Sequence, residues 1–152
     1  MTLKTVAILS PGDMGEGVAK SIMGQKIDVI TVLAGRSDET RMRADRAGIR
    51  EVSDLDTLVS EAELVISIMP PEHAEVIAAE VAAAMTATSN APPYVDMNAI
   101  APTTARRIAA VIADAGADFI DGGIIGWAPF KSKTDTKLYV SGPQAKLMDQ
   151  LD

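Results

Sequence analysis

The chain has 152 residues, of which 21 are acidic and 14 basic, for a net charge of −7. A hydrophobic content of 47% can supply a buried core, which excludes general disorder, and the acidic balance argues against nucleic acid, whose phosphates demand a basic face. No cysteine is present, so disulfides, zinc–thiolate centres and cysteine nucleophiles are excluded.

This length predicts one domain over residues 1–152. Only 3% of residues are aromatic, and the apolar residues are mostly Ala, Val, Ile, Leu and Met, which suits buried parallel strands. The start, Met1-Thr2-Leu3-Lys4, lacks the parts of a signal peptide, and no apolar run approaches the ~18 residues of a membrane helix. A soluble cytoplasmic protein with no membrane partner is expected.

The first strand is predicted at Val6-Ala7-Ile8-Leu9, followed by a helix with Met14, Val18 and Ile22 on one face. A second strand is predicted over 28–34 and a weak third near Arg50-Glu51-Val52. Leu55, Leu58, Val59 and Ala62 then follow helical spacing, with Asp54 as N-cap. The fourth strand is predicted over 64–69. Pro71 is placed to open a helix carrying Val76, Ile77, Val81 and Met85. Tyr94-Val95-Asp96-Met97 reads as the fifth strand. Pro102 opens a helix with Ala105, Ile108, Ala109 and Ile112 that Gly116 closes. Phe119-Ile120-Asp121 and 137–140 complete the strands. Such alternation predicts an α/β fold: a Rossmann-like, doubly wound, mostly parallel sheet with helices on both faces. Ligands of such sheets bind beyond the strands' carboxyl ends.

The first strand runs into Ser10-Pro11-Gly12-Asp13-Met14-Gly15 and then a helix. This is the strand–turn–helix context of a dinucleotide site. Gly12 lets a pyrophosphate approach the backbone, Gly15 lets helix and strand pack, and the helix N-terminus offers free N–H groups. Ser10 stands in the place of the first glycine, and Pro11 lacks a donor. Asp13 and Glu16 are expected to face solvent. No Gly-Lys-Ser or Gly-Lys-Thr follows, so a Walker-type loop is excluded.

About 20 residues on, an NAD site offers a carboxylate to the ribose 2′-hydroxyl. Here the second strand ends Leu33-Ala34-Gly35-Arg36-Ser37, with no carboxylate. A guanidinium beside a hydroxyl suits a 2′-phosphate, so NADP is favoured over NAD. The missing carboxylate also weighs against an S-adenosylmethionine methyltransferase. Arg41, Arg43, Arg46 and Arg50 follow; 36–50 carries a net +2 and the remainder −9. For Arg43, Arg46 and Arg50 the expectation is a solvated face whose charges pair along the helix.

Four segments in register resemble the N-terminal domain of the β-hydroxyacid dehydrogenase and 6-phosphogluconate dehydrogenase superfamily. They are Ile8-Leu9-Ser10-Pro11-Gly12-Asp13-Met14-Gly15, Gly35-Arg36-Ser37, Val65-Ile66-Ser67-Ile68-Met69-Pro70 and Asp96-Met97-Asn98-Ala99-Ile100-Ala101-Pro102. The resemblance implies that Gly12, Asp13, Met14 and Gly15 line the pyrophosphate and that Arg36 and Ser37 hold the adenosine phosphate. It places Met69 and Pro70 beside the nicotinamide ribose, and Asn98 near nicotinamide and substrate. The substrate would also meet Gly122 and Gly123, in a glycine-rich loop after Asp121.

The family's usual Asp-Ala-Pro-Val-Ser-Gly-Gly segment reads Asp121-Gly122-Gly123-Ile124-Ile125-Gly126-Trp127 here. Ile125 replaces the serine and Trp127 the last glycine, as in a divergent branch. Trp127 either shapes an apolar pocket or is a buried or interface residue. The resemblance further implies a C-terminal helical domain with the catalytic lysine and the dimer surface, absent from these 152 residues. Neither Lys131 nor Lys133 stands in that lysine motif, and no catalytic residue is assigned.

His73 is expected as an exposed first-turn residue, and Asp96 and Asp121 as capping carboxylates rather than catalysts. No residue spacing suggests a metal. Two functions follow: the cofactor half of an NADP-dependent oxidoreductase acting on a small hydroxy acid, carbonyl or imine, or a stand-alone NADP-binding or redox-sensing module without turnover.

Overall fold

Seven strands form one sheet in the order β3-β2-β1-β4-β5-β6-β7 in the computed structural model, which describes residues 2–133 and 135–151. They are β1 (Thr5–Leu9), β2 (Asp28–Val32), β3 (Arg50–Val52), β4 (Leu64–Ser67), β5 (Tyr94–Asp96), β6 (Phe119–Ile125) and β7 (Lys137–Ser141). The first six run parallel, and β7 closes one edge antiparallel to β6. This is the Rossmann-like order expected from the alternation, and its chain reversal lies between β1 and β4.

The helices are α1 (Asp13–Met23), α2 (Asp38–Ala47), α3 (Leu55–Glu61), α4 (Ala74–Thr88) and α5 (Pro102–Asp114). Each strand of the centre feeds two cores. Ala7 and Leu9 of β1 join Val65, Ile77, Val81 and Ile108 on one face; Val6 and Ile8 join Ile66, Val18 and Ile22 on the other. Two covered faces explain why these strands read as unbroken apolar runs rather than alternating ones. Each fully buried side chain, such as Ile8 or Ile66, contributes about 1.5–3 kcal/mol.

Local signals set the helix ends. Asp54 accepts a hydrogen bond from the Thr57 N–H (2.8 Å) and Ser37 accepts one from the Thr40 N–H (3.2 Å), capping α3 and α2. Gly116 closes α5 with φ +88°.

Several boundaries differ from expectation. β2 and β4 stop at Val32 and Ser67, because Leu33–Arg36 closes a turn (Arg36 N–H to Leu33 C=O, 3.0 Å) and Met69 leaves the ladder for Asn98. Pro71 opens only a 3-10 turn, Pro71–His73, before α4, and Val76 faces solvent. Gly122 and Gly123 lie within β6 rather than in a loop. They pair with Val140 and Tyr139 because β7 folds back along that strand.

Candidate functional site

The carboxyl ends of β1, β4 and β5 converge where the sheet reverses, and the glycine turn leaves β1 there. Gly12 is the N-cap of α1 and supplies no side-chain acceptor to its first N–H groups. A Cβ at Gly12 would meet no atom within 4 Å, so the turn is open on its outer side. An open helix N-terminus with uncapped donors is what an anionic pyrophosphate requires. Gly15 is packed beneath it, with a Cβ position 3.5 Å from Ile8 Cγ2, so helix and strand meet closely there. Ser10 adopts φ +54°, the left-handed geometry that a glycine takes without strain. Met14 lies in the first turn of α1, half-buried against the core.

The two acidic residues of this turn are not both solvated. Glu16 is buried, and Arg46 of α2 grips it with two hydrogen bonds (2.9 and 2.6 Å) while Lys20 adds a third (2.8 Å). These donors, Arg46 foremost, pull the Glu16 pKa down from 4.5 to about 2 against the opposing effect of burial. Expected exposure therefore fails for Glu16, because two cations from one helix turn away and from α2 compensate its desolvation. Asp13 is exposed as expected and forms an ion pair with Lys131.

At the end of β2, Gly35 (φ +73°) turns the chain so that Arg36 projects into solvent. Arg41 pins this turn by donating to the Leu33 carbonyl (2.7 Å). Arg43 pairs with Glu39 along α2, as expected of a charged helix face. Arg46 and Arg50 depart from it: the first crosses to α1, and the second stands on β3, bridging Asp28 and Glu61. Arg36 is the one arginine of the 36–50 cluster with no protein partner among the described residues. Ser37 uses its hydroxyl to cap α2, one residue away.

Asn98 is buried and ties two strand ends together. Its Oδ1 accepts from the Met69 N–H (2.7 Å), its Nδ2 donates to Ser67 Oγ (3.0 Å), and its N–H donates to Asp96 Oδ1 (2.8 Å). Asp96 thus caps a turn rather than a helix. Its other oxygen is buried without a partner, and burial pushes its pKa up. Pro70 is exposed beside half-buried Met69.

Gly122 has a packing reason: a Cβ there would come 2.6 Å from Met97 Sδ and 3.2 Å from the Asp96 carbonyl. A Cβ at Gly123 would meet nothing within 4 Å. His73 is exposed, as expected. Trp127 is 70% exposed and therefore not a buried residue of this domain.

Sequence reasoning misassigned one residue and passed over another. Arg46 is expected on a solvated face, yet its partner Glu16 lies thirty positions away on α1. Gly17 went unread, and there a Cβ would sit 2.8–3.0 Å from three atoms of Pro129. A glycine in mid-helix, costly without a reason, was its available signal.

Residues 5–150 match the NAD binding domain of 6-phosphogluconate dehydrogenase. The chain belongs to that family. A 28.5 kDa uncharacterized protein of Methanothermus fervidus is 29% identical over 145 residues, covering 93% of this chain and 53% of that protein.

Among solved structures, a conserved protein described as similar to 3-hydroxyacid dehydrogenases superposes with a TM-score of 0.82 at 27% identity, over 97% of this chain and 54% of that one. The 3-hydroxyisobutyrate dehydrogenase of Mycobacterium tuberculosis follows at 0.80 and 22% identity, over 97% and 49%. An imine reductase of Streptomyces aurantiacus gives 0.73 and 22% identity, over 97% and 50%. The chain spans about half the length of these relatives. The domain is an NAD(P)-type nucleotide-binding domain of an oxidoreductase family. Among the described residues no helix is long and apolar enough to cross a membrane.

Proposed function

We propose that the chain is the NADP-binding part of an oxidoreductase that transfers hydride between nicotinamide and a small hydroxy acid, carbonyl or imine. The observation that carries the NADP preference is Arg36: an unpaired, exposed guanidinium at the end of β2, on a turn braced by Arg41. A carboxylate there would repel a 2′-phosphate, whereas guanidinium attracts it and donates bidentately.

The residues fit the nucleotide. The uncapped first turn of α1 receives the pyrophosphate, and Arg36 and Ser37 hold the adenosine phosphate. Met69 and Pro70 flank the nicotinamide ribose, and Asn98 with Gly122 and Gly123 borders the substrate. The bound nicotinamide supplies the hydride chemistry. The acid/base group and the dimer surface come from a helical C-terminal domain, in keeping with relatives about twice as long.

NADPH and NADH titrations of the wild type and Arg36→Ala test this reading. Loss of charge-assisted phosphate contacts is expected to weaken NADPH about 10- to 100-fold and leave NADH unchanged. Equal binding of both nucleotides by both proteins overturns the 2′-phosphate assignment. The commitment of the Asn98 amide to Met69 and Ser67 favours the second reading, an NADP-binding or redox-sensing module without turnover. A full-length product that oxidises NADPH with a carbonyl or imine substrate excludes it.

A further inference from the structure

Residues 128–131, between β6 and β7, lie across α1. Ala128 is buried, and Pro129 is seated on Gly17 so closely that any Cβ there would collide with its ring and backbone. A turn from the Ala128 carbonyl to the Lys131 N–H (3.1 Å) and a left-handed Phe130 (φ +70°) then reverse the chain. That geometry delivers the Lys131 ammonium to Asp13, in the first helical position after the glycine turn.

The glycine turn needs such a cation. Pro11 removes one N–H donor, and Asp13 places a negative charge where a pyrophosphate would lie. Glu16, the other acidic residue of the first turn, is already neutralised by Arg46 and Lys20. Of the ion pairs among the described residues, only Lys131–Asp13 reaches the turn itself. Both partners are about half exposed, at 57% and 49%, so the pair contributes little to stability and remains accessible. An ammonium has three donors, of which Asp13 takes one.

We propose that Lys131 is a cofactor-phosphate ligand, held by Asp13 and carried to the glycine turn by the strap that Pro129 seats on Gly17. This assignment rests on nucleotide binding at the glycine turn. The pyrophosphate is common to NADPH and NADH, so Lys131 serves both nucleotides equally, unlike Arg36.

The test is the affinity of NADPH and of NADH for the wild type, Lys131→Met, Lys131→Arg, Gly17→Ala and the double variant Gly17→Ala/Lys131→Met. Lys131→Met is expected to weaken both nucleotides by the same factor, about 5- to 30-fold, with a shallower salt dependence. Lys131→Arg restores most of that loss. Gly17→Ala unseats the strap and weakens both nucleotides, and adding Lys131→Met to it changes little further. Unchanged affinity in Lys131→Met overturns the proposal, as does a loss confined to NADPH. Additive losses in the double variant overturn the strap's role in delivering Lys131. A wild type that binds neither nucleotide defeats the underlying reading before any variant is compared.

Discussion

Two carboxylates on opposite sides of the sheet are shifted in opposite directions, and each leaves a distinct mark on stability. Glu16 has its pKa lowered from 4.5 to about 2 by Arg46, with Lys20 assisting. Its stabilisation is complete above pH 4.5 and is lost as pH falls toward 2. Glu16→Gln is therefore expected to flatten the acid limb of a stability–pH curve measured by urea unfolding. Asp96 behaves inversely: burial raises its pKa above the ordinary 3.8, so the folded form binds its proton more tightly than the unfolded chain does. Stability attributable to Asp96 declines as pH rises above that value, and Asp96→Asn removes the decline. Ser10 illustrates backbone rather than charge. At φ +54° a β-branched side chain is strained, so Ser10→Val is expected to unfold about 1–2 kcal/mol more readily than Ser10→Gly.

Among elements, the join between β4 and β5 depends on one amide. Asn98 satisfies the Met69 N–H and Ser67 Oγ at once, so it fixes the spacing of the two strand ends that flank the proposed nicotinamide subsite. Asn98→Ala is expected to cost about 1–3 kcal/mol by leaving these groups without partners. Proteolysis or hydrogen exchange should then report the Met69–Pro70 segment opening before the rest of the sheet. The α1–α2 contact is held differently, through the Arg46–Glu16 grip, and links the helix proposed to receive the pyrophosphate to the helix that begins at Asp38, two residues after Arg36. A double-mutant cycle between Arg46 and Glu16 is expected to show coupling, because one partner is buried and the pair is bidentate.

The whole molecule is asymmetric in its surface. The β3 edge is short and charged, whereas the β6–β7 side exposes Ile125, Trp127, Phe130 and Tyr139. Trp127 is the sole tryptophan, and at 70% exposure its fluorescence reports that side alone. Acrylamide is expected to quench native and urea-unfolded protein to similar extents. Strong protection in the native 152-residue chain would contradict the placement of Trp127. The charge is uneven as well: −7 averages a net +2 over 36–50 with −9 elsewhere. Within the basic stretch most guanidiniums are internally engaged, which leaves Arg36 for an external anion.

The sequence by itself determined the α/β class, the alternation of elements and the glycine turn. Those depend on local signals: β-branched runs, helical spacing, Asp54 and Gly116 at helix ends. It also exposed Arg36 and the missing carboxylate, because both lie at a fixed offset from the first strand. Only the tertiary structure decided which charges were spoken for. Arg46 and Glu16 are thirty residues apart and Lys131 and Asp13 further still, and no periodicity links them. The extent of β6 escaped prediction for a similar reason, since Gly122 and Gly123 become strand only when β7 returns beside them. Local preference writes the elements; long-range packing decides which polar groups are consumed within the fold and which remain for a ligand.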